Sequence, residues 1–150
     1  MIDLIDKGLQ RLTDDLIVTH TLLGQRCSGK WIESLHIREG NKEMSIWGAY
    51  YTPYLVHGRP PSAKLPPYEA IRKWIECKGL AVGLDDKKVE RLTWAIMHKI
   101  ARQGTKWWRL ATEGHPTLAD LVFAKKNIDN AFAELYENWD RDVINYFIAI

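Results

Sequence analysis

The spacing of apolar residues changes twice along this chain, and those changes constrain its fold. From Ile2 to Leu23 apolar residues recur every three or four positions, which predicts an amphipathic helix over residues 3–23. On either side of residues 39–42 apolar and polar residues alternate, which predicts a β-hairpin. The helical spacing then returns. We therefore predict an α+β fold: an N-terminal helix, a small antiparallel sheet (a hairpin plus an edge strand), then three to four helices.

The middle of the chain is expected to be extended before the helices resume. Pro53 restricts residues 48–56 to an edge strand or an extended loop, because proline cannot donate to a sheet ladder. Four prolines within residues 57–67 then require a stiff loop. Helices are predicted from residues 66–67 to 78, from 85 or 86 to 104, and from 117 to the C-terminus, the last either unbroken or broken near residues 138–140.

Length and composition fit a single domain over residues 1–150. A chain of 150 residues buries roughly 68–70% of the surface that its unfolded form exposes. Its hydrophobic share of 46% and charged share of 27% are those of a globular protein. The net charge of +2 and the pI of about 8.5 do not indicate a dedicated nucleic-acid binder, because a basic footprint usually means a pI above about 9.

The sequence also predicts the compartment in which the protein is made. Cys27 and Cys77 lie far apart and in no Cys-x-x-Cys pair, so we expect two reduced thiols in a protein made in the cytoplasm. No apolar run approaches the roughly 20 residues that span a bilayer. Residues 1–7 lack the basic region of a secretory signal. A soluble protein without membrane association is expected.

The chain carries no recognisable catalytic motif. The nucleophile-elbow, zinc-protease, P-loop and dinucleotide-binding patterns are all missing from the sequence. The histidines fall in five different predicted elements, with no helical i, i+4 pair: His20, His36, His57, His98 and His115. We therefore expect a protein that is not an enzyme and that has no catalytic residue, metal or cofactor. An enzyme without a recognisable signature is kept as a third hypothesis.

A basic and aromatic stretch over residues 87–109 gives the alternative function. Mixtures of cations and aromatic rings can hold phosphates and stack bases, which would suit a small nucleic-acid-binding module. Cations near a helix C-terminus also complement the helix dipole and stay solvated, and on a straight helix these positions are expected to spread over more than one face. The basic residues are Lys87, Lys88, Arg91, Lys99, Arg102, Lys106 and Arg109.

Four motifs follow one another within residues 45–110. Residues 50–58 read YYTPYLVHG, a proline-rich turn follows, residues 66–80 read PPYEAIRKWIECKGL, and residues 95–105 read AIMHKIARQGT. In this order and spacing they resemble the virion-morphogenesis type of neck and tail-completion proteins of tailed bacteriophages. Those proteins typically carry Y-A-P-Y-V-E-x-G, a proline-rich turn, P-P-x-x-x-I-x-x-W-I-x-x-K-G-L and A-I-x-x-K-I-x-x-x-G-T.

The resemblance implies a structural virion protein without catalytic residues. Such proteins form a homo-oligomeric ring, sixfold or twelvefold, that joins the capsid connector to the tail at the head-tail junction. The implied partners are other copies of the chain and neighbouring head-closure, tail-terminator or tail-tube proteins, with passing contact with genomic DNA left open. Assembly would take place in the host cytoplasm. The chain departs from the pattern at Val56-His57, where V-E is usual, and at Trp107-Trp108-Arg109.

Stiff loops and aromatic anchors suit a ring interface, because pre-stiffened loops lose less entropy on docking. The interface is accordingly predicted at the exposed side of the terminal helices and at Tyr50, Tyr51, Tyr54, His57, Arg59, Trp107 and Trp108. The residues predicted to line a DNA channel are Lys99, Arg102, Lys106 and Arg109.

Overall fold

The structure is a computed structural model that describes residues 2–41 and 43–148, with side chains described up to residue 141. Its elements are α1 (Ile2–Leu22), α2 (Lys30–Ser34), β1 (His36–Glu39), β2 (Met44–Trp47), α3 (Thr52–His57), α4 (Tyr68–Cys77), α5 (Asp86–Gln103), α6 (Lys106–Thr112), α7 (Leu118–Val122), α8 (Lys125–Ala131) and α9 (Ala133–Ile148). The predicted α+β fold, with an N-terminal helix and a small antiparallel sheet, is confirmed.

Contacts within the chain divide it into two compact units. Unit 1 combines Met1–Gly24, Trp31–Ala49 and Leu118–Ile150. Unit 2 combines Gln25–Lys30 and Tyr50–Thr117. Both ends of the chain therefore belong to unit 1, whereas the motif-bearing centre of the sequence forms most of unit 2. That the whole chain folds as a single domain stays a prediction.

Helix α1 is the central element of unit 1. It packs against the hairpin and against α7, α8 and α9, and its predicted apolar stripe is buried at Leu12 and Leu16. Gly8 lies on the same buried side, where a Cβ atom would come within 2.3 Å of the Phe132 ring. The absence of a side chain at Gly8 thus lets the aromatic ring pack directly on the helix backbone.

The hairpin forms at the predicted place. Strands β1 and β2 pair antiparallel, with Ile37 opposite Ile46. The Gly40 N–H donates to the Glu43 carbonyl oxygen at 2.7 Å and closes the turn. The alternation of apolar residues therefore predicted the strand pairing correctly.

Helices α4 and α5 form the core of unit 2. They pack against each other, and Ile75 of α4 is completely buried. The Asp85 carboxylate accepts a hydrogen bond from the Lys88 N–H at 2.9 Å and caps α5. Gly104 ends that helix. Of the two predicted caps, Asp85 is thus the one used.

The predicted edge strand is wrong. Residues 52–57 form helix α3, with Pro53 in its first turn. A proline in the first helical turn sacrifices no hydrogen bond, because that N–H has no partner within the helix. The missing N–H of Pro53, which favours an extended segment at a sheet edge, therefore equally suits the start of a helix.

More helices follow the sheet than the three or four predicted. The connector that bears Trp107 is helix α6, and the last segment is divided into α7, α8 and α9. The first break follows Val122, where the Asn127 side-chain amide donates to the carbonyl oxygens of Leu121 and Val122 at 2.9 and 3.2 Å. The apolar spacing that predicts the last helix continues through Val143, Tyr146 and Ile150, which lie outside the described side chains.

The two cysteines form a disulfide within unit 2, so the prediction of two reduced thiols is wrong. Cys27 and Cys77 are bonded, with Cα atoms 5.8 Å apart. The Lys78 ammonium donates to the Arg26 carbonyl oxygen at 2.9 Å beside the bond. A separation of 50 residues in sequence gave no sign of this proximity, because disulfide formation depends on Cα distance and direction in the fold.

Candidate interaction surfaces

Two of the sequence motifs meet at Thr105. Its N–H donates to the Arg59 carbonyl oxygen at 3.0 Å, and the Arg59 N–H donates to its hydroxyl oxygen at 2.9 Å. The same hydroxyl accepts a hydrogen bond from the Trp108 N–H at 3.4 Å and caps helix α6. One threonine therefore connects the segment after α3 with the start of α6, across 46 residues of sequence.

Gly58 and Gly104 make this contact possible. Both have a φ of 74° with an extended ψ of 178° or 176°, a conformation that is essentially restricted to glycine. A Cβ atom on Gly58 would lie 2.2 Å from the Trp108 nitrogen, and one on Gly104 would lie 2.8 Å from the Arg59 carbonyl oxygen. The two glycines belong to different motifs, and a single close approach of the backbone explains both.

The proline-rich loop lies along helix α5. The Ser62 N–H donates to the Ala101 carbonyl oxygen at 2.9 Å, and the Arg59 guanidinium donates to the Lys64 carbonyl oxygen at 2.6 Å. Between loop and helix is an open cleft of about 600 Å³. It is lined by Pro61, Ser62, Ala63, Leu65, His98, Ala101 and Arg102.

The seven residues predicted individually for the interface all lie in unit 2, whereas the terminal helices, also predicted to contribute, lie in unit 1. Tyr50 is 92% exposed, and its ring stands edge-on to that of Tyr51 at a centroid distance of 5.4 Å. Tyr54 is exposed on α3, which packs against α6, the helix that carries Trp107 and Trp108. His57 is exposed, whereas Arg59 and both tryptophans are half-buried. The structure therefore brings the segment after α3 and the start of α6 together, and it leaves Tyr50 and Tyr54 exposed.

The cations of α5 share one exposed side of the helix. At 100° per residue, Lys87, Arg91, Trp94, His98 and Arg102 fall within about 80° of one another, on the side away from the buried Val89, Thr93 and Met97. All five are exposed, and we name them the α5 stripe. Lys88 and Lys99 flank it. Over all five basic residues of α5 the spread is about 120° around the helix.

The predicted channel residues divide into two kinds. On α6, the Lys106 ammonium lies 5.4 Å from the centroid of the Trp107 ring, and the Arg109 guanidinium donates to the Gln103 side chain at 3.0 Å. On α5, Lys99 and Arg102 take part in no salt bridge within the described residues. Of the four predicted channel residues, Lys99 and Arg102 are thus the ones available to a partner.

The two units carry opposite charges, which the mild net charge of the whole chain conceals. Unit 1 contains seven Lys and Arg residues against thirteen Asp and Glu residues, a formal charge of −6. Unit 2 contains fourteen against six, a formal charge of +8. Sequence reasoning missed this division because unit 1 is assembled from both ends of the chain.

The described residues offer little for acid-base or metal chemistry. No group of three or more metal-ligating side chains occurs among them, and His20 is buried beside Trp31 at a centroid distance of 4.4 Å. Hydrogen bonds with Tyr68, Asp86 and Glu76 raise the pKa of Arg72. The hydrogen bond with Asp129 raises the pKa of Lys125. Both shifts favour the form that is already charged at neutral pH, so neither prepares a group for proton transfer.

In the part of the chain that the structure describes, no helix has the length and apolar character needed to cross a membrane. No family model, no curated protein and no solved structure matches this chain. The resemblance to neck and tail-completion proteins therefore depends on the sequence motifs and on what their residues do in the fold.

Proposed function

We propose that the protein is a structural subunit of the head-tail junction of a tailed bacteriophage, in a neck or tail-completion ring that joins the capsid connector to the tail. The observation that carries this proposal is the contact of Gly58 and Arg59 with Gly104 and Thr105. Residues from two motifs of the resemblance are explained by one structural contact. Such agreement between motif and geometry supports a common fold for the motif-bearing region.

A closed ring of identical subunits needs two different surfaces that complement each other, because its interface is heterologous. The opposite formal charges of units 1 and 2 support such complementarity. Exposed aromatic residues supply anchors of the kind that dominate interface energies, and Tyr50 and Tyr54 are the candidates.

In this proposal the protein performs no catalysis and needs no cofactor. Its partners are other copies of itself, in a sixfold or twelvefold ring, and a neighbouring head-closure, tail-terminator or tail-tube protein. Its place is the virion, after assembly in the host cytoplasm. Passing contact with the genomic DNA would involve Lys99 and Arg102, whose charges are not paired by salt bridges within the described residues.

The oligomeric state of the purified protein tests the proposal. We expect rings in negative-stain electron microscopy and a matching mass in light scattering, because units of opposite formal charge can attract each other between copies. Replacing Tyr50 and Tyr54 together by alanine should weaken self-association by roughly tenfold or more. Trp47→Ala is the matched control, since that tryptophan is 48% exposed in the hairpin and lies outside the predicted interface. A protein that stays monomeric and cannot be crosslinked to itself or to head and tail proteins would contradict the function.

Nucleic-acid binding is the second candidate, and the α5 stripe favours it. Its basic residues flank Trp94, which is 43% exposed and could stack on a base. We expect the affinity for duplex DNA to fall steeply with salt. Replacing Arg91 and Arg102 by alanine should make the log-log slope shallower by about one for each phosphate that the variant no longer neutralises. A salt-independent or undetectable interaction would remove this candidate.

A further inference from the structure

The exposed side of helix α1 carries a row of four polar residues, three of which are acidic. Asp3, Asp6, Gln10 and Asp14 fall within about 80° of one another at 100° per residue, and all four are exposed. We name them the α1 row. Among the described residues no salt bridge involves its three aspartates, and Asp14 accepts one hydrogen bond from Gln10 at 3.1 Å.

The basic residues of α1 do not neutralise this row, because another acid engages them. The Lys7 ammonium lies 3.4 Å from one Glu134 carboxylate oxygen, and the Arg11 guanidinium lies 3.7 Å from the other. Helix α1 therefore offers negative charge to a partner from the unit whose formal charge is −6.

The α1 row and the α5 stripe also match in shape. At 1.5 Å per residue, Asp3 to Asp14 spans about 16 Å and Lys87 to Arg102 spans about 22 Å. Each has an exposed apolar residue nearby: Trp94 lies within the stripe, and Val18 lies one turn after Asp14, about 40° outside the row. Two helices with these features can lie side by side with their opposite charges paired.

We propose that the α5 stripe of one copy docks onto the α1 row of the next copy, so that the ring closes head to tail through complementary charge. This inference rests on the proposed ring function. A second copy fits better than DNA, because it satisfies both surfaces at once. Binding to DNA would neutralise the α5 stripe and leave the α1 row, on a unit of charge −6, without a partner.

Paired charge reversals test this contact. The stripe-reversed variant carries Arg91→Glu and Arg102→Glu, and the row-reversed variant carries Asp3→Lys and Asp14→Lys. Each places like charges opposite each other at every ring interface, so self-association should weaken by roughly 100-fold or more. A 1:1 mixture should assemble again with alternating copies, because every interface then joins opposite charges. Sedimentation velocity measures assembly, and native mass spectrometry gives the composition.

Two matched controls carry the same charge changes elsewhere. Arg26→Glu with Lys30→Glu changes two exposed cations of unit 2 that lie neither in the α5 stripe nor in the cleft beside it, and Glu39→Lys with Glu43→Lys changes unit 1 in the hairpin. Both should assemble like the unmodified protein to within about threefold, since surface charges far from a contact act weakly through salt. Circular dichroism melting verifies that all four variants are folded.

The outcomes separate this inference from the proposed function. Unmodified protein that assembles while the reversed variants assemble equally well, or while their mixture stays dissociated, would overturn the docking and leave the ring function standing. Unmodified protein that neither self-associates nor enters particles would overturn both. Loss of duplex DNA binding in the stripe-reversed variant, with self-assembly intact, would assign the α5 stripe to nucleic acid and overturn the docking.

Discussion

Replacing Gly58 by alanine is expected to lower the free energy of unfolding by about 3–5 kcal/mol, through backbone strain together with overpacking. The strain arises because Gly58 has a φ of 74° with an extended ψ. The overpacking arises because the new methyl group would lie 2.2 Å from the Trp108 nitrogen and 2.6 Å from the Thr105 hydroxyl oxygen. Neither neighbour can move without breaking the contact between Arg59 and Thr105.

Urea unfolding measures this loss, with Gly114→Ala as the matched control. Gly114 also has a positive φ, 86°, but an added Cβ atom there would meet nothing within 4 Å. Its substitution should cost only about 1 kcal/mol, which is the conformational term alone. Equal losses at the two positions would show that the close approach at Gly58 contributes nothing to stability.

Breaking the disulfide is expected to lower the free energy of unfolding by about 4 kcal/mol, the loop-closure value for a crosslink between residues 50 apart. The bond limits the unfolded chain between Cys27 and Cys77, so its loss raises the entropy of the unfolded state. A reducing environment would remove this contribution to stability.

Urea unfolding with and without a thiol reductant tests this prediction. The unmodified protein should lose stability on reduction, and the double variant Cys27→Ala with Cys77→Ala should be insensitive to the reductant. Intact-mass spectrometry should show a gain of two hydrogen atoms when the unmodified protein is reduced. An unchanged mass, or equal stability in both redox states, would speak against the crosslink.

Sequence patterns correctly predicted the secondary-structure elements that depend only on neighbouring residues. The hairpin follows from alternation around a short turn, and α5 begins and ends where Asp85 and Gly104 predict. Helix α3 was missed because Pro53 suits both an edge strand and a first helical turn. As a helix, α3 packs against α6, which lies about fifty residues further along the chain.

For the candidate surfaces, too, the sequence predicted some properties and the tertiary structure decided others. The tyrosines around Pro53 and the cations of α5 were identified from composition, since residue type alone indicates what a surface could bind. Their exposure could not be read in the same way, because it depends on which face of each element the rest of the fold covers. The structure leaves Tyr50 open, half-buries Trp107 and Trp108, and gathers the α5 cations on one side.

By itself the sequence determined the α+β class, the hairpin, the limits of α5 and the motifs of the resemblance. Each of these depends on backbone preferences and spacing within a few neighbouring residues. Only the tertiary structure decided that Cys27 meets Cys77, that Gly58 meets Trp108, and that the charges separate into units of −6 and +8. The reason is physical: these features join residues tens of positions apart, and their distances are set by packing of the whole chain rather than by any local preference.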